Sequence, residues 1–208
     1  MAARDEIAAL APLHAGVLVG GASSRMGRPK ALIELHGHTF LQRVVDALKP
    51  RFGSIVLLGD GQVPPACSAL HRLADITDTK GPLAGMLAAM RETPHAAWLF
   101  VACDTPLLSA EAVAWMVAQR RSVAAAVLPR RGSDPPEPLP GIYEPAARER
   151  LESLLRAGRP SPRPLAGDAD VLCPPVPDAL LRCWRNVNTP EDLAALIADG
   201  SDCGTTQE

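Results

Sequence analysis

Apolar runs of strand length alternate with segments of helical spacing along most of this chain, and no other feature narrows its fold as far. Ala15 to Val19 is a short apolar run closed by Gly20 and Gly21, the form of a buried parallel strand. Phe40 to Leu48 sets Phe40, Leu41, Val44, Val45 and Leu48 on one helical face. Ser54 to Leu58 reads as a second strand, Leu83 to Met90 as a helix opened by Pro82, and Ala97 to Val101 as a third strand. A helix from about Ala110 to Arg120 and a fourth strand from Val123 to Leu128 extend the series. Such alternation predicts an α/β fold with right-handed crossovers and a mostly parallel sheet covered on both faces.

Residues 129–177 break the pattern. They hold more than half of the chain's 21 prolines. Only Pro145 to Ala157 looks helical there, with Leu151, Leu154 and Leu155 on one face and Gly158 as its cap. Proline rigidity without apolar periodicity predicts an irregular excursion or a binding rim rather than a second domain. Cys183 to Val187 then reads as a possible strand. Thr189, Pro190, Glu191 and Asp192 follow as an N-cap hydroxyl, a first-turn proline and two acids at the positive dipole end. Gly200 is expected to end that helix. At 208 residues, one domain over 15–198 is expected, with flexible ends at 1–14 and 199–208.

Composition removes several classes of function. A formal charge of −2 offers no basic excess for nucleic acid or an anionic membrane. No apolar run approaches the roughly 18 residues needed to span a bilayer, and Met1 to Pro12 lacks the apolar core of a signal peptide. Five cysteines without a CxxC spacing favour a reducing cytoplasm over a disulfide framework.

Against that neutral background, LVGGASSRMGRPKAL (18–32) stands out, with Arg25, Arg28 and Lys30 and no acid. It is neither a Walker A loop nor GxGxxG, since no Gly-Lys-Ser/Thr follows and Ala22 takes the second glycine position. Glycines at a strand end still let backbone N–H groups approach a polyphosphate. Arg25 and Lys30 add charge, and a bridging Mg²⁺ would offset more. The plainer reading is a glycine turn with solvated cations.

FVACDTP (100–106) places Asp104 just past the end of a predicted buried strand. Ligands of open α/β sheets lie outside those carboxyl ends. Gly20 and Asp104 are therefore expected on one edge, where Asp104 could serve as a metal ligand rather than a turn former.

Four motifs now stand in order: LVGGASSRMGRPKAL, GPLAGM (81–86), CDTP (103–106) and NVNTPEDL (186–193). Together they resemble the molybdenum cofactor guanylyltransferases, the MobA family of nucleotidyltransferases, from about His14 to Ile197. The resemblance implies a Rossmann-like three-layer α/β/α sandwich. It also implies Mg²⁺-dependent transfer of GMP from GTP to the terminal phosphate of molybdopterin, with release of pyrophosphate. By the same resemblance Leu18, Val19, Gly20 and Gly21 meet the nucleotide, Lys30 and Arg25 contact phosphate, and Asp104 is the Mg²⁺ aspartate. Asp75, or Asp78 close by, helps bind GTP, while Gly81 to Gly85, Asn186 and Asn188 border the substrates. Asn186 and Asn188 are placed on the acceptor side; their motif lies far along the chain from the nucleotide loop, and Asn188→Ala is expected to weaken acceptor use while leaving GTP binding nearly intact. Transient contacts with other cofactor-biosynthesis proteins are implied, and no nucleic-acid or membrane partner.

Two alternatives stay open. Pro29 before Lys30 is common in cytidylyl-transferring relatives, which points to CTP as donor, and with it stays a small-molecule nucleotidyltransferase acting on another small phosphate. A nucleotide-binding accessory protein without catalysis is the other, although it would have no need of a metal aspartate. Among the remaining candidates, His36 and His38 flank Gly37 as in a turn. Cys103 has no evident base beside it, and Arg130 and Arg131 suit solvent as well as an anion.

Overall fold

Strand β1 (Leu13–Leu18) begins two residues ahead of the expected apolar run because Leu13 and His14 are in register with Ala97 and Trp98 of a parallel neighbour, and His14 stacks on Trp98, ring centroids 5.2 Å apart. The computed structural model describes residues 10–20, 26–76 and 81–199. After β1 come the paired short strands β2 (Glu34–Leu35) and β3 (His38–Thr39). Their turn uses His36 at φ 50° and Gly37 at φ 80°, two left-handed residues as in the tightest hairpins. The His-Gly-His run is therefore a hairpin tip. Helix α1 (Phe40–Leu48) has the predicted bounds, and the Thr39 side chain caps it by accepting from the Gln42 N–H.

Next come β4 (Ile55–Leu58), β5 (Arg72–Leu73), α2 (Pro82–Glu92), β6 (Ala97–Ala102) and α3 (Ala110–Ala118). The remaining elements are β7 (Ala126–Val127), β8 (Gly141–Tyr143), α4 (Arg148–Arg156), β9 (Val171–Leu172) and α5 (Pro190–Ala198). Seven strands form one sheet in the order β5-β4-β1-β6-β8-β7-β9. All neighbours run parallel except β8, which is antiparallel to both β6 and β7.

Strand alternation separates the two covering layers. Ala15, Val17, Leu57, Leu99 and Val101 pack with Leu41 and Val44 of α1 and Val113 and Met116 of α3. Leu58, Trp98 and Phe100 pack with Leu83, Met86 and Leu87 of α2 and Leu151 of α4. The result is the expected α/β/α sandwich. Bidentate hydrogen bonds from Arg120 to the Glu144 carboxylate, both buried, tie the end of α3 to the end of β8.

Three readings change. The Val123–Leu128 run yields only the two residues of β7, and Val123 itself is 84% exposed. Cys183 to Val187 is not a strand: Asp178–Trp184 is a 3-10 helix. Its buried Leu180, Cys183 and Trp184 recur at helical spacing, and the Val187 N–H bonds Asp104 O rather than a neighbouring strand. The proline-rich stretch is less of an excursion than expected, since it returns to the sheet as β8 and β9. Strands of two or three residues between prolines leave no period to detect. Gly200 and the tail after it, with residues 1–9, lie outside the described residues. No helix among the described residues is long and apolar enough to cross a membrane.

Candidate active site

Leu18, the last residue of β1, pairs with Leu58 on one side and Ala102 on the other. The loops after β1, β4 and β6 therefore open on a single edge of the sheet, as the topology of open α/β sheets requires of a ligand crevice. A cavity of about 760 Å³ lies there. Leu18, Val19, Gly20, Lys30, Asp75, Gly81 and Asp104 all line it. Arg25, Gly21 and Asp78 lie outside the described residues.

Lys30 starts a single 3-10 turn, Lys30–Leu32, anchored by buried Ala31. Its Nζ stands 2.8 Å from Asp104 Oδ2, with the two side chains 19% and 20% exposed. The same ammonium donates to Asn188 Oδ1. Asp104 follows β6 in a turn closed by the Thr105 hydroxyl, which donates to Ala102 O at 2.8 Å. Residues 74 and 158 positions apart along the chain thus converge on one cation.

Asn188, far along the chain from the nucleotide loop, is close to it in space. It touches Lys30; both it and Asn186 are half-buried, and neither is part of the cavity lining itself. Sequence separation hid this because α5 folds back: Leu196 packs with Ile33, Leu35 and Phe40, the segment that follows Lys30.

Asp75 sits beneath the glycine loops. A Cβ at Gly59 or Gly85 would stand 3.3 or 3.1 Å from its Oδ1. Burial raises its pKa above the ordinary carboxylate value, the Asp60 charge adds to that, and Arg72 partly offsets both. Gly81 caps α2 at φ 102° with Pro82 in the first turn, so the positive end of an 11-residue helix borders the cavity.

Sequence reasoning passed over the loop after β4. Asp60, Gly61 and Gln62 line the cavity, and Arg72 holds the loop by donating to Gly59 O at 2.7 Å and Gly61 O at 2.6 Å. A Cβ on Gly61 would fall 1.8 Å from Val19 O, so only glycine permits this approach. The strand-end argument that singled out Asp104 applies equally to Gly59-Asp60-Gly61 and would have found it. Leu139 also reaches the cavity, next to Pro138, whose carbonyl accepts from the buried Tyr143 hydroxyl at 2.8 Å. The proline-rich stretch was read as a possible binding rim, but nothing in the sequence singles out Leu139 within it.

Among the described residues no group of three or more His, Cys, Asp or Glu is arranged to hold a metal ion. Asp104 could still hold a Mg²⁺ that takes its other ligands from water and phosphate, because that ion is commonly bound through only one or two carboxylates.

Cys103 is buried in the cavity wall, and burial, with Asp104 beside it, pushes its thiol up to about 12. At neutral pH it is a thiol and a poor nucleophile. Cys103→Ala should keep turnover within about threefold of wild type, since only a small apolar contact changes. Iodoacetamide at pH 7.5 should leave Cys103 unlabelled, as read by mass spectrometry; labelling at the rate of a free thiol would contradict the buried assignment.

Residues 15–171 match the family model described as the MobA-like NTP transferase domain. A protein named as a probable molybdenum cofactor guanylyltransferase of Pelotomaculum thermopropionicum is 32% identical over 204 residues, covering 90% of this chain and 94% of that one. The molybdenum cofactor biosynthesis bifunctional protein of Synechocystis is 32% identical over 189 residues and 89% of this chain. This chain spans only 54% of that longer relative. In fold, molybdopterin-guanine dinucleotide biosynthesis protein A from Archaeoglobus fulgidus superposes with a TM-score of 0.71 at 24% identity, over 90% of this chain and 98% of its own.

Proposed function

The chain belongs to the MobA-like NTP transferase family, and from that membership we propose that it transfers GMP from GTP to the terminal phosphate of molybdopterin, releasing pyrophosphate. The observation that carries this reading is the Lys30–Asp104 pair lining a cavity that Gly20, Gly61, Gly81 and Asp75 also line. Phosphoryl-type transfer depends mainly on in-line positioning and neutralised charge, and an acceptor phosphate is already an anion. No serine, cysteine or histidine nucleophile is required.

Asp104 would hold the Mg²⁺. That ion, when bound, supplies charge neutralisation to the phosphate oxygens. Lys30 opposes the charge that grows on the leaving pyrophosphate. The backbone from Leu18 to Gly20 and the N-terminus of α2 border the nucleotide. Asp75 accepts the N1–H and N2 donors of guanine, with Asp60 near enough to influence its charge. The acceptor lies along residues 129–177, from which Leu139 reaches the cavity, and Asn188 stands between the two substrates. We place this reaction in the cytoplasm, as one domain over 15–198 that meets other cofactor-biosynthesis proteins transiently.

Pro29 also lines the cavity and favours the second reading, CTP as donor. Incubating the protein with each triphosphate, Mg²⁺ and molybdopterin, and identifying the product by mass, tests both. A cytosine in a guanine-shaped site leaves polar groups unpaired at about 1–3 kcal/mol each. Two such losses imply a GTP preference of roughly 30-fold or more in kcat/KM, and Asp75→Ala should shrink it. Use of CTP as readily as GTP would replace the guanylyl reading with the cytidylyl one.

A further inference from the structure

Asn188 is itself held from behind. Asp192 Oδ2 accepts the backbone N–H of Asn188 at 2.9 Å and that of Thr189 at 3.0 Å. Thr189 Oγ1 accepts the return bond from the Asp192 N–H at 3.2 Å. The bonds between Thr189 and Asp192 form an ordinary capping box for α5. The bond to Asn188 does not belong to that motif, because it reaches one residue beyond the cap. Val187, next in line, donates its N–H to Asp104 O at 2.9 Å. One short stretch therefore contacts both members of the Lys30–Asp104 pair, Val187 through the Asp104 backbone and Asn188 through the Lys30 side chain.

We propose that Asp192 is a positioning residue for Lys30: its carboxylate fixes the backbone of Asn188 and so aims the Asn188 amide oxygen at the Lys30 ammonium. A lysine head on a flexible four-carbon stem is poorly located by one partner. Acceptors on two separate segments, after β6 and before α5, fix where its charge sits. The Asp192 carboxyl is held below its ordinary pKa, first by the Asn188 N–H, so the anchor stays ionised at neutral pH. Asp192 is absent from the cavity lining, so its effect on transfer is indirect, through the stretch whose Asn188 and Thr189 N–H groups it holds. The catalytic consequence rests on the nucleotidyltransferase reading above; the positional one does not.

The chain has three lysines, Lys30, Lys49 and Lys80, which makes the Lys30 ε-methylene signal assignable by NMR in the protein without substrate. In wild type its two ε-protons should be inequivalent, as in an immobilised side chain. Asp192→Ala should average them toward equivalence, as in a freely rotating side chain. Thr189→Ala removes the cap hydroxyl but leaves the Asp192 carboxylate to bind both N–H groups, and should preserve the inequivalence. With GTP, Mg²⁺ and molybdopterin, Asp192→Ala should lower kcat about tenfold, the scale of a small displacement of a reacting group. Asp192→Asn, which keeps an acceptor oxygen, should recover most of that, and Thr189→Ala should lose less than about threefold. In a Lys30→Ala background the Asp192→Ala effect should vanish.

Should Asp192→Ala fail to fold, Asp192→Ser, too short to reach the Asn188 N–H, carries the same expectations. An unchanged Lys30 signal in the Asp192 variant would overturn the proposal. So would an equal loss in Thr189→Ala, or a full loss persisting without Lys30. If wild type consumes no triphosphate, the enzymatic reading fails, while the NMR comparison still decides whether Asp192 places Lys30.

Discussion

Asp104→Asn should lower Mg²⁺-dependent turnover by about a thousandfold, the scale on which losing a charge-stabilising group acts in such sites. The substitution keeps the side chain's shape and leaves an oxygen to accept from Lys30 Nζ. The Val187 N–H bond to the residue's backbone carbonyl is untouched, so the turn after β6 has every reason to persist. Circular dichroism and the melting temperature should stay close to wild type while pyrophosphate release collapses. Metal-free GTP should bind at least as well as before, because one negative charge facing the phosphates is gone. Turnover within tenfold of wild type would remove Asp104 from the metal site.

Lys30→Ala should cost about a hundredfold or more in kcat/KM, with most of the loss in kcat. Charge accumulates on the leaving pyrophosphate as the bond to it breaks, so an ammonium placed there is worth more in the transition state than in the bound substrate. A rise in KM with kcat unchanged would make Lys30 a uniform binding group instead. The variant also leaves Asp104 without the cation 2.8 Å away. The double variant with Asp104→Asn should therefore lose less than the sum of the two single losses. Lys30→Arg should rescue poorly, since a planar guanidinium cannot occupy the point between Asp104 Oδ2 and Asn188 Oδ1 in the manner of an ammonium.

Where periodicity was long enough, the fold could be read from residues. Helix α1 has the predicted ends because five apolar positions on one face follow a capping threonine. The N-terminus of α5 was equally legible, since Thr189, Pro190 and Asp192 each have a separate physical reason to stand where they do. What escaped was either short or relational. Strands β8 and β9 have three and two residues, below any detectable alternation, and Cys183 to Val187 was too short a run to tell a strand from a 3-10 turn. In the cavity, Asp104 was flagged by its place at a strand end and Lys30 by the acid-free glycine loop, but their mutual contact was not. The Asn188 contact depends on α5 folding back onto the segment after Lys30, a tertiary fact that local spacing does not encode. Asp60 to Gln62 was different: the rule that found Asp104 covered it and was simply not applied to β4.

The close approach of Gly61 to the Val19 carbonyl bears on how such a protein could change its substrate over evolutionary time. The three positions Asp60, Gly61 and Gln62 face the same cavity, yet the middle one is barred to every side chain by a backbone oxygen 1.8 Å from where a Cβ would begin. Change of side chain along this stretch of the cavity wall is thereby channelled to the flanking pair, Asp60 and Gln62. A lineage that acquired any side chain at 61 would first have to move the Val19 backbone away, so variation along this rim falls on positions 60 and 62 around a fixed glycine rather than on the whole tripeptide.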